Sequence, residues 1–206
     1  MKSYSYLIVL CLLGFLFSPS VHAQTGIKVG GNMSRLGWSP GTRPTGQVGE
    51  LGSFKFGFQA GLWHLFPLGK KTAIGVEAAY TTRGDKYNSY DATLSNISVP
   101  VYFQYKFLEK LSGQLGVSGN YTLEKILRGY LKPKNPHVGI LIGASYQVSP
   151  KIALNARFDY GITQPIYIYN GSVFANYKPG DSYEDFKLNE RLRTIEFSLY
   201  YTLSSK

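Results

Sequence analysis

Along residues 94–107, LSNISVPVYFQYKF, apolar side chains occupy every second position from Ile97: Val99, Val101, Phe103, Tyr105 and Phe107 follow. Ser98, Pro100, Tyr102, Gln104 and Lys106 fill the positions between. Period two is the mark of a β-strand with one apolar and one polar face. The same alternation recurs seven more times. Gly26–Arg35 carries Ile27, Val29 and Met33; Phe54–Phe66 carries Phe54, Phe56, Phe58, Ala60 and Leu62. Thr72–Thr81 carries Ile74, Val76, Ala78 and Tyr80, and Leu111–Tyr121 carries Leu111, Leu115, Val117 and Tyr121. Val138–Val148, Ile152–Tyr160 and Thr194–Leu203 complete the set. Most of the segments run roughly 9–13 residues, the reach a tilted strand needs to cross a bilayer.

The connections alternate as well. Pro67–Lys71, Leu108–Lys110 and Ser149–Lys151 are tight and carry Pro, Gly and Lys as turn residues. Leu36–Ser53, Thr82–Ser95, Thr122–His137 and Ile162–Arg193 are long and rich in Gly, Pro, Asn, Ser and charge. Long and short connections in turn predict an all-β, eight-stranded antiparallel up-and-down barrel with its long loops at one end. Outer-membrane barrels have this asymmetry, with short periplasmic turns and longer extracellular loops. An even strand number places both termini on the periplasmic side.

Alternation fits a soluble barrel that hides its apolar face and a membrane barrel that turns it to lipid. The polar parity discriminates. It reads Gly30, Asn32; Gly57, Gln59, Gly61; Gly75, Glu77; Ser112, Gln114, Gly116, Ser118, Asn120; Asn155, Arg157, Asp159; Glu196, Ser198. A water-exposed face is ordinarily rich in Lys and Glu, whereas small polar residues suit the narrow interior of an eight-stranded barrel. On the apolar parity, aliphatic residues hold the centre, and Tyr80, Tyr105, Phe107, Tyr121, Tyr146, Tyr160 and Tyr201 gather near the ends. That distribution predicts aromatic girdles at two membrane interfaces.

The amino terminus agrees with export. MKSYSYLIVLCLLGFLFSPSVHAQ has one early Lys, a short apolar run and a small residue at Ala23, so residues 1–23 read as a secretory signal peptide and 24–206 as the barrel domain. The one cysteine, Cys11, falls inside that leader, so no disulfide is expected in the exported part. Aromatic residues reach 15%, charged residues only 17%, and the net charge is +10. In an exported protein this basic balance points to lipopolysaccharide phosphates or anionic headgroups rather than to nucleic acid.

Four polar residues, Gln59, Glu77, Arg157 and Glu196, lie at similar depth on the polar parity. An Arg157–Glu196 pair is expected between the last two strands, with Glu77 nearby, as an interior salt-bridge plug. Pro100 lacks the N–H that a closed barrel's ladder requires, so a bulge or gap is expected beside it. In the second strand the parity places Trp63 inside and His64 outside, which predicts a bulge near Gly61 or an interfacial Trp63. The third loop carries Lys125, Arg128, Lys132 and Lys134, a candidate contact for lipopolysaccharide. The fourth carries Asp181, Glu184 and Asp185.

Catalytic chemistry is scarce. PLGKKT at 67–72 lacks the first glycine of a phosphate-binding loop and no helix follows it. No His or Cys cluster has metal-ligand spacing. A rim histidine, His137, with Asp85, Asp159 or Ser145, is the one arrangement that an enzyme reading could use, and no catalytic residue, metal or cofactor is assigned.

GIKVGGNMSRLGW, FKFGFQAGL, IGVEAAYTTRGDKY and ISVPVYFQYKF follow in order, then GQLGVSGNYTL, HVGILIGASYQVSPKIALNARFDYGIT and RTIEFSLYYTL. In that order they resemble the PorT-like outer-membrane β-barrel domain of Gram-negative bacteria, and more loosely the small OmpA/OmpX-type barrels. The chain departs from many such barrels by ending LeuSerSerLys rather than on an aromatic residue. The resemblance implies a monomeric integral outer-membrane protein without shared catalytic residues, touching lipid and an envelope partner. The expected role is non-enzymatic, structural, adhesive or partner-binding, exercised through the outer loops. A narrow channel is the alternative, and a soluble lipocalin-like binder the third reading.

Overall fold

A computed structural model of the chain describes residues 23–38, 53–86, 91–126, 131–133, 135–163, 166–168 and 190–205. Its strands are β1 (Gln24–Trp38), β2 (Ser53–Pro67), β3 (Thr72–Lys86), β4 (Asp91–Lys106), β5 (Leu111–Ile126), β6 (Leu131–Pro133), β7 (His137–Ser149), β8 (Ile152–Gly161), β9 (Ile166–Ile168) and β10 (Glu190–Ser205). Eight of them close into an antiparallel barrel in the order β1-β10-β8-β7-β5-β4-β3-β2. The barrel closes by pairing β10 along the whole of β1, from Gln24↔Ser205 to Trp38↔Glu190.

The side-chain alternation is resolved as a face assignment. Ile142 is 59% exposed and Leu199 39%, whereas Gln114 and Asn155 are each 5% exposed. Ile27, Val29, Phe56, Leu62, Leu115, Val117, Ile140 and Leu154 also stand outward. The interior is filled instead by Lys28, Asn32, Gln59, Glu77, Arg83, Asn120, Arg157, Asp159 and Glu196, all buried. A soluble barrel has the opposite distribution; hydrocarbon is the solvent that makes this one favourable. Among the aromatics near the strand ends, Tyr80, Tyr105, Phe107, Tyr121, Tyr146 and Tyr201 face outward.

The strands are longer than the alternation predicts. The expected linker Thr82–Ser95 shrinks to residues 87–90, because β3 and β4 continue pairing through Arg83↔Leu94 to Lys86↔Asp91. Polar residues there interrupt the sequence pattern without interrupting the ladder. A small second sheet, β6 paired with β9 from Leu131↔Ile168 to Pro133↔Ile166, joins the third and fourth connections and has no alternation long enough to announce it. Of the leader expected at 1–23, residues 1–22 lie outside the described residues, as do Asp181, Glu184 and Asp185.

Pro100 sits beside the expected gap. Its pairing with β5 runs unbroken through Pro100↔Ser118, while pairing with β3 passes from Val76↔Val101 to Ala79↔Ser98 with two pairs missing and no change of register. The missing N–H therefore faces β3. The bulge expected near Gly61 is absent: pairing of β2 with both neighbours is continuous from Gly61 to Leu65, and the irregularity toward β3 falls between Phe54 and Gln59. Trp63 is not interfacial but turns into the lumen, 6% exposed, and donates from Nε1 to the Ile27 carbonyl at 3.2 Å. Gly26 makes room for it, since a Cβ there would fall 2.6 Å from that nitrogen. His64, on the outer parity, is buried by its hydrogen bond to Thr25 Oγ1 at 2.7 Å and by Phe66, with ring centres 4.2 Å apart.

Candidate functional site

The centre of the lumen holds charges contributed by four strands. β3 supplies Glu77 and Arg83, three pleat repeats apart on one face, β8 supplies Arg157 and Asp159, β1 Lys28 and β10 Glu196. Three cations and three carboxylates make the set electrically neutral. Burying an ion costs several kcal/mol unless a partner of opposite charge and further hydrogen bonds compensate it.

Glu77 is the hub of the half nearer the short turns. Lys28 Nζ donates to its Oε2 at 2.7 Å, and Arg157 Nη2 to its Oε1 at 2.6 Å. The Tyr200 hydroxyl donates to the same Oε1 at 2.8 Å. Arg157 also donates from Nε to Gln114 Oε1 at 2.7 Å, and its guanidinium lies 4.3 Å from the centre of the Tyr102 ring. That ring occupies the space beside Gly75, where a Cβ would fall 2.1 Å from it, so only glycine fits opposite Tyr102. Asn155 donates to Gln114 at 2.8 Å, and Gln114 to Gln104 at 3.0 Å, extending the network toward the short turns.

Arg83 is the hub of the other half. It donates to Glu196 Oε1 at 2.5 Å and to Asp159 Oδ2 at 3.0 Å. Ser118 Oγ lies 2.9 Å from both oxygens of Asp159. Lys28, 3.9 Å from Glu196, joins the two halves.

Three of the four residues singled out from sequence divide between these groups. Arg157 is the register partner of Glu196 across β8 and β10, yet its guanidinium reaches across the lumen to Glu77, and Glu196 turns to Arg83 and Lys28. The expected Arg157–Glu196 ion pair is thus replaced by two cross-lumen pairs, because facing side chains in a narrow barrel are as close as cross-strand neighbours. Gln59 stands apart from the ions and donates to Ser198 Oγ at 2.8 Å. Lys28 and Arg83 were missing from the sequence-derived set. The parity of Ile27 and Val29 places Lys28 inside, and extending Glu77, Ala79, Thr81 by one step reaches Arg83.

Of the basic third-loop residues, Lys125 lies in β5 opposite Leu94, and Lys132 lies in β6 opposite Tyr167. Arg128 and Lys134 are outside the described residues. The histidine arrangement does not assemble. His137 opens β7 opposite Asn120, buried, and neither ring nitrogen has a hydrogen-bond partner among the described residues. Ser145 is eight residues along the same strand, about 26 Å away at 3.3 Å per residue. Asp159 is held by Arg83 and Ser118.

The model of a family described as the outer membrane protein β-barrel domain matches residues 20–167 of the chain. No curated protein matches it. Among solved structures, the chain is similar to Neisserial surface protein A (NspA), at 17% identity and a TM-score of 0.52, over 88% of this chain and 99% of that one. It is also similar to Ail, the attachment invasion locus protein of Yersinia pestis, at 13% identity and TM-score 0.47, over 88% and 99%. OprG from Pseudomonas aeruginosa follows at 14% identity and TM-score 0.47, over 88% and 94%. At such identities the likeness to NspA speaks to the fold.

Proposed function

The chain belongs to the outer membrane protein β-barrel domain family, and from that premise we propose a non-enzymatic, monomeric integral protein of the outer membrane that acts through its outer connections. Both termini are periplasmic, the leader at 1–23 is removed on export, and the barrel end opposite the short turns faces outward. Its role is structural, adhesive or partner-binding within the envelope, as a PorT-like member of the family. The observation that carries this reading is the Lys28–Glu77–Arg157 bridge, which crosses the lumen between the buried rings of Tyr102 and Tyr200. An eight-stranded barrel so filled leaves no aqueous path, so recognition falls to the loops.

Purified protein in planar bilayers tests the reading. The plugged barrel gives no steady conductance steps; regular steps would establish the narrow channel in its place. Within the same reading, Lys125, Arg128, Lys132 and Lys134 grip lipopolysaccharide phosphates, as clustered cations do. Lys132→Glu then weakens lipopolysaccharide binding, and added salt weakens it further; binding indifferent to both would exclude that contact.

A further inference from the structure

The two ends of the lumen differ. Inward of the short turns lies a cavity of about 310 Å³, at the small end of the range for small-molecule sites. Lys70 and Lys71 from the β2–β3 turn, and Lys106 and Lys110 from the ends of the β4–β5 turn, line its mouth, with Glu109 the one carboxylate beside them. None of these lysines makes an ion pair among the described residues. The rest of the wall is neutral, with Gln104, Gln147, Ser112 and Ser145 set among Leu65, Pro67, Ala73 and Pro150. The hydroxyls of Ser112 and Ser145 form no hydrogen bond among the described residues, so both remain available to donate.

The cavity is a dead end. A smaller recess shares Gln104, Ser145 and Gln147 with it and ends on Gln114, Tyr102 and Tyr200. Those three side chains are the ones fastened to Arg157 and Glu77. A vestibule with four cations at its lip, hydroxyls and amides on its wall and a closed floor is not a passage, and the four charges favour an anion over a neutral ligand. Lysines bind phosphate and carboxylate groups as compact point charges.

We propose that this vestibule is an anion-binding site for a small multivalent phosphate or carboxylate group, entering from the short-turn side and held by Lys71, Lys106 and Lys110. The ligand is of headgroup size: a soluble anion, or the headgroup of an anionic lipid in the adjacent leaflet. The site lies at the opposite end from the long connections, so it stands or falls independently of the loop-based role.

Pyrophosphate is a suitable probe, titrated by equilibrium dialysis into the full barrel in nanodiscs of zwitterionic lipid at low ionic strength. Saturable binding at one site is expected. Lys71→Gln/Lys106→Gln/Lys110→Gln weakens it about tenfold or more, since three attractions are lost where salt screens least. All three positions are exposed at strand ends and turns, and retention of the fold is checked by faster migration of the unboiled protein on a gel. Lys151→Gln is the control, because Lys151 lies in the third turn, off the cavity wall, and leaves affinity unchanged. Absence of saturable binding, or an equal loss from Lys151→Gln, would overturn the proposal. Discs containing phosphatidylglycerol identify the source: competition with pyrophosphate assigns the site to a lipid headgroup, and unaltered affinity assigns it to a soluble anion.

Discussion

Glu77 is a hub of the interior, because three donors, Lys28, Arg157 and Tyr200, converge on its two oxygens. Glu77→Gln keeps the shape and removes the charge, leaving two buried cations short of an anion. A cost of about 3–5 kcal/mol is expected, as for other broken buried pairs. Urea unfolding of the barrel in lipid vesicles measures it. Glu77→Leu/Lys28→Met, which removes one charge of each sign, is expected to cost less than the single change; a double variant as unstable as the sum of its parts would contradict this. Gly75→Ala is expected to destabilise by displacing the Tyr102 ring, since the new methyl would overlap it. The same unfolding experiment reads that loss.

At the scale of the strand, Pro100 breaks the β3–β4 ladder opposite Glu77 without moving the register, since Val76↔Val101 and Ala79↔Ser98 keep one alignment. Pro100→Ala supplies an N–H facing β3. Its amide is expected to be protected from hydrogen exchange as strongly as those of neighbouring β4 residues, and rapid exchange at position 100 would show that the gap has another cause. Strand number, the gap at Pro100 and the facing of Ile142 against Asn155 were legible in the sequence, because period-two alternation survives wherever one side meets lipid. The strand ends were not. Past Thr81 the outer positions become polar where the barrel rises beyond the apolar band, so the ladder of β3 and β4 continues after its sequence signal has stopped. The ion pairing was half legible: parity places Arg157 and Glu196 inside, but which of two partners a guanidinium reaches across a lumen depends on barrel tilt and on lengths that no local pattern encodes. Parity points Trp63 inward but also sets His64 outward, which argues for a bulge or an interfacial ring, and the space left by Gly26 is visible only once β1 is paired.

For the whole molecule, the closed order of eight strands leaves the barrel wall without an edge, and outside the gap at Pro100 and the register shifts its backbone groups pair within the sheet. The apolar exterior is then not a defect but the surface that lipid covers. Changing Ile142 to Lys places a charge on that surface and is expected to destabilise the barrel by about 2–4 kcal/mol if the position is near the bilayer midplane, falling toward zero near the interfaces; unfolding in vesicles checks it. The face assignment itself is tested most directly by spin labels on single cysteines at positions 142, 199, 114 and 155 of the reconstituted protein. Labels at 142 and 199 are predicted to be readily relaxed by oxygen dissolved in the bilayer and shielded from a water-soluble nickel reagent, while those at 114 and 155 are reached poorly by the oxygen. Bilayer oxygen relaxing 114 and 155 in preference to 142 and 199 would contradict the account.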